Sequence, residues 1–528
     1  MVSLSRSAIL LLLLTAATAQ QSRYIATATL PAQDVVDVVS VAQCVQREGL
    51  AATIRAEPVP PLFPALVAGA QKLLRRAGII DLHNWILPPQ CTAAAALILA
   101  VIPIFLTAER IAGRGPAVVA AIFFIALPSL ARLGGDGLGD AVNLCLVAWS
   151  AWFLVRASGE IDSRARLGGR VTWGCAGLGI AAALLVRTEA IVVPLAMLLL
   201  AWPKRVFRRP SFFLAAALCI VPYLASGVEL LDELIARLRG GAAATESLPL
   251  NASDEFVVPM IDCDVSLYSL GRKDYSRSSR FQGLTATTAE FIQELLQAGG
   301  YVLPLLALVG FRTRRRRGFD DYDMLLIVVL SLQLAITFAV AWRSGYLSTR
   351  HFAIPVVLSL PYAALGLFAL SRQVAERTRG RFPISDWKYQ TAFVVGFVVI
   401  SWAATQRPLH DSNVAHRRAA EWLRVLARTG AVLDQQGFTA LASGRTTYRF
   451  DAAVQAWADP ELKFVVLERG DLEAVSPRGR LLRRELGTAS QASFTFAAPR
   501  NNHRLDVLVF ERSDFIRVIS KRVTAVAQ

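Results

Sequence analysis

The feature that most constrains this 528-residue chain is a series of apolar runs about as long as a bilayer is thick. A spanning helix needs roughly 20 consecutive, mostly apolar residues. Eleven stretches approach that requirement: 7–20, 92–109, 115–131, 138–155, 171–187, 190–202, 211–228, 297–311, 323–341, 352–370 and 390–405. Most are longer than a core strand or core helix requires, and the mean hydropathy is +0.45. Charged residues make up only 18% of the chain, below the roughly 25% of soluble domains. These values exclude a soluble multidomain protein and a disordered one. They predict a polytopic α-helical membrane protein of about eleven spans.

Charge sets the orientation. The chain has 56 basic and 40 acidic residues, for a net charge of +16. Six alternate connections (the N-terminus, 110–114, 156–170, 203–210, 312–322 and 371–389) hold 21 Lys and Arg, including the run Arg314-Arg315-Arg316-Arg317. On the other side the short connections and span ends hold four: Arg132, Arg187, Arg343 and Arg350. Basic residues collect in cytoplasmic loops, so the first set is cytoplasmic. The loops 21–91 and 229–296 and the C-terminal 406–528 are then external. The same distribution accounts for the basic surplus without nucleic acid as a partner.

Residues 1–20 have two readings. Arg6, an apolar run and Ala17-Thr18-Ala19 fit a cleaved signal peptide or a retained signal anchor. Residues 406–528 change character. A helix is expected over 413–428, capped by Asp411 or Ser412. Strands are expected at 431–433, 438–442, 463–468, 493–497 and 505–510, together forming a soluble α/β domain. Cys145, Cys175 and Cys219 lie in spans. Cys44, Cys91 and Cys263 lie outside, where one disulfide has room to form. Asn251-Ala252-Ser253 fits a glycosylation acceptor, a short and common triplet. The five histidines show no metal-ligand spacing.

Four separate stretches put ionisable residues at one membrane face. Asp34 and Asp37 lie in the first external loop. Asp136 and Asp140 open the fourth span. Arg187 and Glu189 stand where the fifth ends, and Arg350 and His351 where the tenth begins. Each group has an ordinary explanation. Acids complement a helix N-terminus, Arg187 and Glu189 fit a local ion pair, and Arg350 and His351 fit snorkelling at the interface. Charges near hydrocarbon are expensive and mark functional sites, and their shared face points to an external, membrane-level site. A transporter more often keeps such groups at the midplane, beside broken helices.

The order of these residues resembles the membrane glycosyltransferases of the C-type fold. The resemblance is to bacterial relatives of the dolichyl-phosphate-mannose–protein mannosyltransferases, which include the enzyme that adds aminoarabinose to lipid A. The matching positions are Asp34, Ala42, Gly49 and Pro60-Pro61-Leu62-Phe63-Pro64 in the first loop, then Gly135-Asp136-Gly137-Leu138-Gly139-Asp140-Ala141. Further on come Gly179 to Ala190, with Arg187-Thr188-Glu189, and Arg350-His351-Phe352-Ala353-Ile354-Pro355. The resemblance spans about residues 20–405. Val35 departs from it, because family members often carry a second acid after the first; Asp37 is the available substitute.

The resemblance implies a reaction. A sugar moves, with inversion, from a polyprenyl-phosphate donor to a hydroxyl of a protein, lipid or polysaccharide acceptor, at the external face of a membrane such as the bacterial inner membrane. Asp34 is the expected base. Arg350, with His351 beside it and Arg187 as second candidate, is expected to stabilise the departing phosphate. Asp136, Asp140 and Asp37 would orient the acceptor or hold a divalent metal such as Mg or Mn, with Glu189 in support. Two other classes fit the same charges: a transporter or flippase of a lipid-linked substrate, and a non-catalytic envelope scaffold.

Overall fold

The structure is a computed structural model of residues 1–528. It describes all of them except 1–4, 57–59, 82–83, 160–165, 202–209, 226–283, 345–346, 379–384, 407–408, 411–412, 427–429, 435, 446, 449–458, 474–491, 500–501 and 512–528. The triplet at Asn251, Cys263, Asp411, Ser412 and most of loop 229–296 fall outside the described residues.

The chain begins with α1 (Arg6–Thr27), which runs well past the apolar stretch that announces it. Two short extended turns lead into α2 (Asp34–Glu48) and α3 (Leu50–Ala56), and the proline stretch leads into α4 (Leu62–Arg76). Then α5 (Leu87–Ala112) opens on Pro88-Pro89, where missing N–H groups cost nothing. The next apolar run is broken. Leu127 is extended, and Pro128 starts a new helix, so α6 (Arg114–Ala126) and α7 (Pro128–Gly135) meet at 54°. Next come α8 (Gly139–Gly159), α9 (Arg166–Leu184), a 3-10 turn at Thr188–Ile191, α10 (Val192–Ala201) and α11 (Pro210–Ala225).

Beyond the undescribed loop lie α12 (Leu284–Ala298) and α13 (Val302–Arg317). The run read as one span at 297–311 is bent by 88°. Gly300 and Tyr301 both take positive φ, which turns the chain sharply between the two helices. Then follow α14 (Asp321–Ser344), a 3-10 turn at Thr349–Phe352, α15 (Ala353–Thr378) and α16 (Asp386–Ala404).

Each of the eleven apolar runs falls on helix. Fewer stand alone as spans by length and composition. Among the described residues four do: Leu87–Ala112, Gly139–Ala157, Asp323–Trp342 and Thr349–Thr378. Counting each bent pair as one makes six. The runs 190–202 and 211–228 fall on helices of 10 and 16 residues that end at undescribed segments.

The bundle core is alanine-rich, with Phe105, Phe123, Phe212 and Tyr362 buried to within 2% of full burial. Its closest helix contact joins α13 and α15. A Cβ at Gly310 would overlap the Tyr362 carbonyl, and one at Gly366 would overlap the Leu306 carbonyl. Small residues that let backbones touch are a principal source of helix association where lipid removes the hydrophobic drive. At one end of the same pair, Asp323 is fully buried. It accepts from Tyr362 and from Arg314 Nε at 3.0 Å.

The C-terminal region carries α17 (Val414–Val425), β1 (Ala431–Asp434), α18 (Phe438–Ser443), β2 (Thr447–Tyr448), β3 (Leu462–Glu468), α19 (Arg469–Glu473), β4 (Phe494–Phe496) and β5 (Val507–Glu511). The sheet order is β2-β1-β3-β5-β4, with the first three strands parallel and β5 antiparallel to both neighbours. Trp422 of α17 packs on Phe464, Phe494 and Phe496. The segment 438–442 is helical, not a strand. Buried Asp434 accepts the N–H groups of Thr439 and Ala440, at 2.7 and 3.1 Å, and so holds the start of a helix. Cys44 and Cys91 are thiols, not joined to one another.

The backbone contact between α13 and α15 yields a prediction. Gly366→Val should lower the unfolding free energy by about 1–3 kcal/mol, the usual cost of overpacking a filled core. Thermal unfolding of the purified protein in detergent measures it. An unchanged melting temperature would show that the two helices do not touch at this level.

Candidate active site at the membrane face

Five separate elements bring their ends to one place. The first turn of α2 supplies Asp34 and Asp37, three residues apart and so on one helix face. The α7–α8 junction supplies Gly137, Leu138, Gly139 and Asp140. Gly137 takes φ +70, which lets the chain reverse between the two helices. The end of α9 supplies Val186 and Arg187. The start of α4 supplies Pro60, Phe63 and Pro64. The 3-10 turn before α15 supplies Arg350. Together these groups line a cavity of about 340 Å3.

The backbone pins these ends to each other. Leu62 N–H donates to the Leu185 carbonyl at 2.9 Å, tying α4 to α9. Ala32 N–H donates to the Asp136 carbonyl at 3.0 Å, tying the approach to α2 to α7. The Gln90 side chain donates to the Gly135 carbonyl at 2.7 Å.

Two ion pairs cross the site. Arg187 pairs with Asp140 at 2.5 Å, with side chains 21% and 10% exposed. Arg350 pairs with Asp34, whose side chain is 58% exposed. The two pairs therefore differ in kind. Asp140 is desolvated and depends on its arginine, whereas Asp34 stays open to the cavity and to solvent. His351 has a structural task as well. Its Nδ1 accepts the Ser348 N–H at 3.2 Å, closing a capping box that orients the turn carrying Arg350.

A second cavity, of about 70 Å3, shares Asp140, Arg187 and Arg350 with the first. His351, Asn143 of α8, and Gln333 and Thr337 of α14 also line it. These last three were not singled out from the sequence. Their signal was polar side chains inside apolar spans, Asn143 lying one turn after Asp140 on the same helix face.

Six of the eight residues expected at the site come together here: Asp34, Asp37, Asp140, Arg187, Arg350 and His351. Asp136 lies apart from both cavity linings. Its carboxylate meets His410 Nε2 at 2.9 Å and so ties the chain leaving the last span back to α7. The backbone of Glu189 is in the 3-10 turn, and its side chain is not among those described. Among the described residues no three His, Cys, Asp or Glu side chains converge as metal ligands. Asp34, Asp37 and Asp140 line one cavity, and Asp34 and Asp140 face guanidinium groups there.

The C-terminal region packs on α2, the helix that carries Asp34 and Asp37. Gly437, in the left-handed conformation at φ +75, sits on Val36 of α2; a Cβ there would lie 2.6 Å from Val36 Cγ1. Phe438 and Leu441 join the apolar core of the helical bundle, and Arg424 pairs with Asp81 at 3.0 Å.

Comparison with known proteins agrees with this architecture. Residues 60–226 match the family described as dolichyl-phosphate-mannose-protein mannosyltransferase. The fold is shared with ArnT from Cupriavidus metallidurans, solved bound to undecaprenyl phosphate. It is 11% identical, with 96% of this chain aligned to 98% of that one at a TM-score of 0.55. It is also shared with the archaeal oligosaccharyltransferase AglB from Archaeoglobus fulgidus, solved with an inhibitory peptide and a dolichol-phosphate. That chain is 12% identical, with 93% of this chain aligned to 73% of that one at a TM-score of 0.50. A structure of the Archaeoglobus fulgidus oligosaccharyltransferase with Zn and sulfate aligns at a TM-score of 0.54, with 11% identity over 94% of this chain and 72% of that one. No curated protein matches the chain by sequence.

The protein therefore has the C-type fold of the membrane glycosyltransferases. Within that class its sequence resembles the dolichyl-phosphate-mannose–protein mannosyltransferases, over the stretch that runs from the first-loop prolines through the aspartate and arginine motifs.

The unlike burial of the two ion pairs predicts unlike stability effects. Arg187→Gln strands a buried carboxylate and should cost about 3–5 kcal/mol. Adding Asp140→Asn to it should restore most of that loss. Asp34→Asn, at an exposed pair, should cost about 1 kcal/mol or less. Melting curves of the three proteins test this, and equal losses for Arg187→Gln and Asp34→Asn would contradict it.

Proposed function

We propose that the protein transfers a sugar from a polyprenyl-phosphate donor to a hydroxyl acceptor at the external face of the membrane. The observation that carries this reading is the convergence of Asp34, Asp140, Arg187 and Arg350 on one cavity from four distant segments. The undecaprenyl phosphate and dolichol-phosphate held by the two relatives give the donor its class. The basic residues of alternate connections support an external face, in a membrane such as the bacterial inner membrane. The C-terminal α/β region then lies over the site on the same side.

In this reading Asp34 is the general base. It is exposed to the cavity, so an acceptor hydroxyl can reach it and lose its proton as the oxygen attacks the anomeric carbon. The bond from that carbon to the phosphate oxygen breaks, the phosphate keeps the electron pair, and the configuration inverts. Negative charge grows on the leaving phosphate, where guanidinium groups stabilise it. Arg350 and Arg187 line both cavities and are the groups for that task, and Asp140 fixes the orientation of Arg187. Arg350 also faces Asp34. Donor phosphate therefore competes with the base for the same guanidinium, and its binding releases the Asp34 carboxylate to the acceptor.

Asp37, on the same face of α2, is assigned to orienting the acceptor and stands in for the second acid replaced by Val35. Asp136 acts through structure, by holding His410. No step of this reading runs through a metal. A transporter is the weaker reading. The two helix breaks, at Leu127 and at Gly299–Tyr301, contain no Asp, Glu, His, Lys or Arg, and the charges gather at helix ends instead.

The test is transfer of radiolabelled sugar from polyprenyl-phosphate donors in membranes carrying the protein. Asp34→Asn should reduce transfer by about 100-fold or more, the scale of a lost base, with expression and insertion unchanged. Arg350→Ala should raise the KM for the donor more than that for the acceptor. Full transfer by Asp34→Asn would remove the base assignment. Transport of intact lipid-linked sugar without transfer would replace the whole reading.

A further inference from the structure

The smaller cavity contains a polar group that the fold itself leaves unsatisfied. Asn143 is 3% exposed, lines this cavity, and has no hydrogen-bond partner for its Oδ1. A buried acceptor without a donor is uncommon and calls for an explanation. Across the cavity stand Gln333 and Thr337 of α14, each 6% exposed and one helical turn apart. Two carboxamides and a hydroxyl thus form a neutral hydrogen-bonding wall deep in an otherwise apolar bundle. The charges at this cavity's edge, Asp140 with Arg187 and Arg350 with Asp34, are matched in pairs.

We propose that this chamber receives the sugar of the lipid-phosphate donor. Asn143 Oδ1 accepts a hydrogen bond from a sugar hydroxyl, and the chamber selects an uncharged hexose or pentose. The inference rests on the donor reading given above and adds where the sugar sits and which class of sugar it is.

Three arguments support it. The first is size. A water needs about 10–15 Å3 of such space. A cavity of about 70 Å3 therefore takes a handful of polar groups, enough for the hydroxylated side of one ring and too little for an isoprenoid chain. The second is reaction geometry. In an inverting displacement the attacking and leaving oxygens lie on opposite faces of the anomeric carbon, and the ring body projects sideways from that axis. A ring seated beside Asn143 lies next to Arg187 and Arg350, which line both cavities, and so keeps its anomeric carbon near the larger one, where Asp34 stands. The third is charge. Carboxamides and a hydroxyl satisfy sugar hydroxyls. An ammonium or carboxylate on the ring would have to break one of the two ion pairs to find its counter-charge.

The experiment uses the full-length protein purified in detergent. Binding of undecaprenyl phosphate is compared with that of undecaprenyl phosphate carrying a neutral hexose, for the wild type, Asn143→Leu and Thr337→Val. The expected result is about tenfold weaker binding of the hexosyl lipid by Asn143→Leu, the scale of one lost hydrogen bond, with the bare lipid bound as before. Thr337→Val should shift the same way. Because Oδ1 has no protein partner, Asn143→Leu should melt at or above the wild-type temperature. A lower melting temperature would assign Asn143 to the fold and overturn the proposal.

Equal weakening for both lipids would place the phosphate in the chamber and overturn the sugar assignment. Unchanged binding of both would overturn it as well. Tighter binding of an amino-sugar or uronate lipid than of the hexosyl lipid would overturn the claim of neutrality. Failure of the wild type to bind either lipid would reject the donor reading itself, a result separable from all the others.

Discussion

The pairing of Asp140 with Arg187 is the interaction on which the rest of the site depends. Asp140 is almost wholly buried at the edge of an apolar bundle, where a lone carboxylate is very costly and a matched one is tolerable. Keeping the match requires α8 to begin where α9 ends, and that forces the glycine-rich reversal between α7 and α8. The same junction accepts Ala32 N–H through the Asp136 carbonyl, which fixes the approach to α2 and with it Asp34. The more exposed pair of Asp34 and Arg350 then closes the ring from the start of α15. The two pairs differ in burial: Asp140 is sealed against its arginine, and Asp34 stays open to the cavity.

Much of this was legible in the sequence. Apolar length alone located helix at all eleven runs, because a bilayer leaves the backbone no other way to satisfy its hydrogen bonds. Charge placement then identified Asp34, Asp140, Arg187 and Arg350, since ionisable residues beside hydrocarbon are too costly to be scattered without cause. What escaped has physical reasons. The bend at Gly299–Tyr301 depends on two positive φ values in a run whose hydropathy is unbroken. The segment 438–442 reads as a strand by composition, and it becomes a helix because Asp434, four residues away, holds its first N–H groups. Asn143, Gln333 and Thr337 are spread over two helices far apart in sequence, so no local pattern joins them. The pairing of Asp136 with His410 joins positions 274 residues apart, a distance no spacing rule reaches.

The C-terminal region is seated on the helix that carries Asp34. Gly437 rests on Val36, two residues from Asp34, and Phe438 and Leu441 extend the bundle's apolar core. His410 and Arg424 add polar ties at Asp136 and Asp81. These contacts couple the sheet to the position of α2. The turn after β1 therefore packs on the face of α2 away from Asp34, and the positions of the sheet and of that helix are linked.

The glycine contact between α13 and α15 has a consequence for traffic within the bilayer. Where two backbones touch, no isoprenoid chain can slide between them, so that side of the bundle offers a long lipid no doorway. The neighbouring helix α14, which meets this pair through Asp323, differs. Only 33% of the apolar window of α14 is buried, against 61–72% in the other three spans. This same helix carries Gln333 and Thr337. Helix α14 thus turns most of its apolar length outward while two of its polar side chains line the smaller cavity.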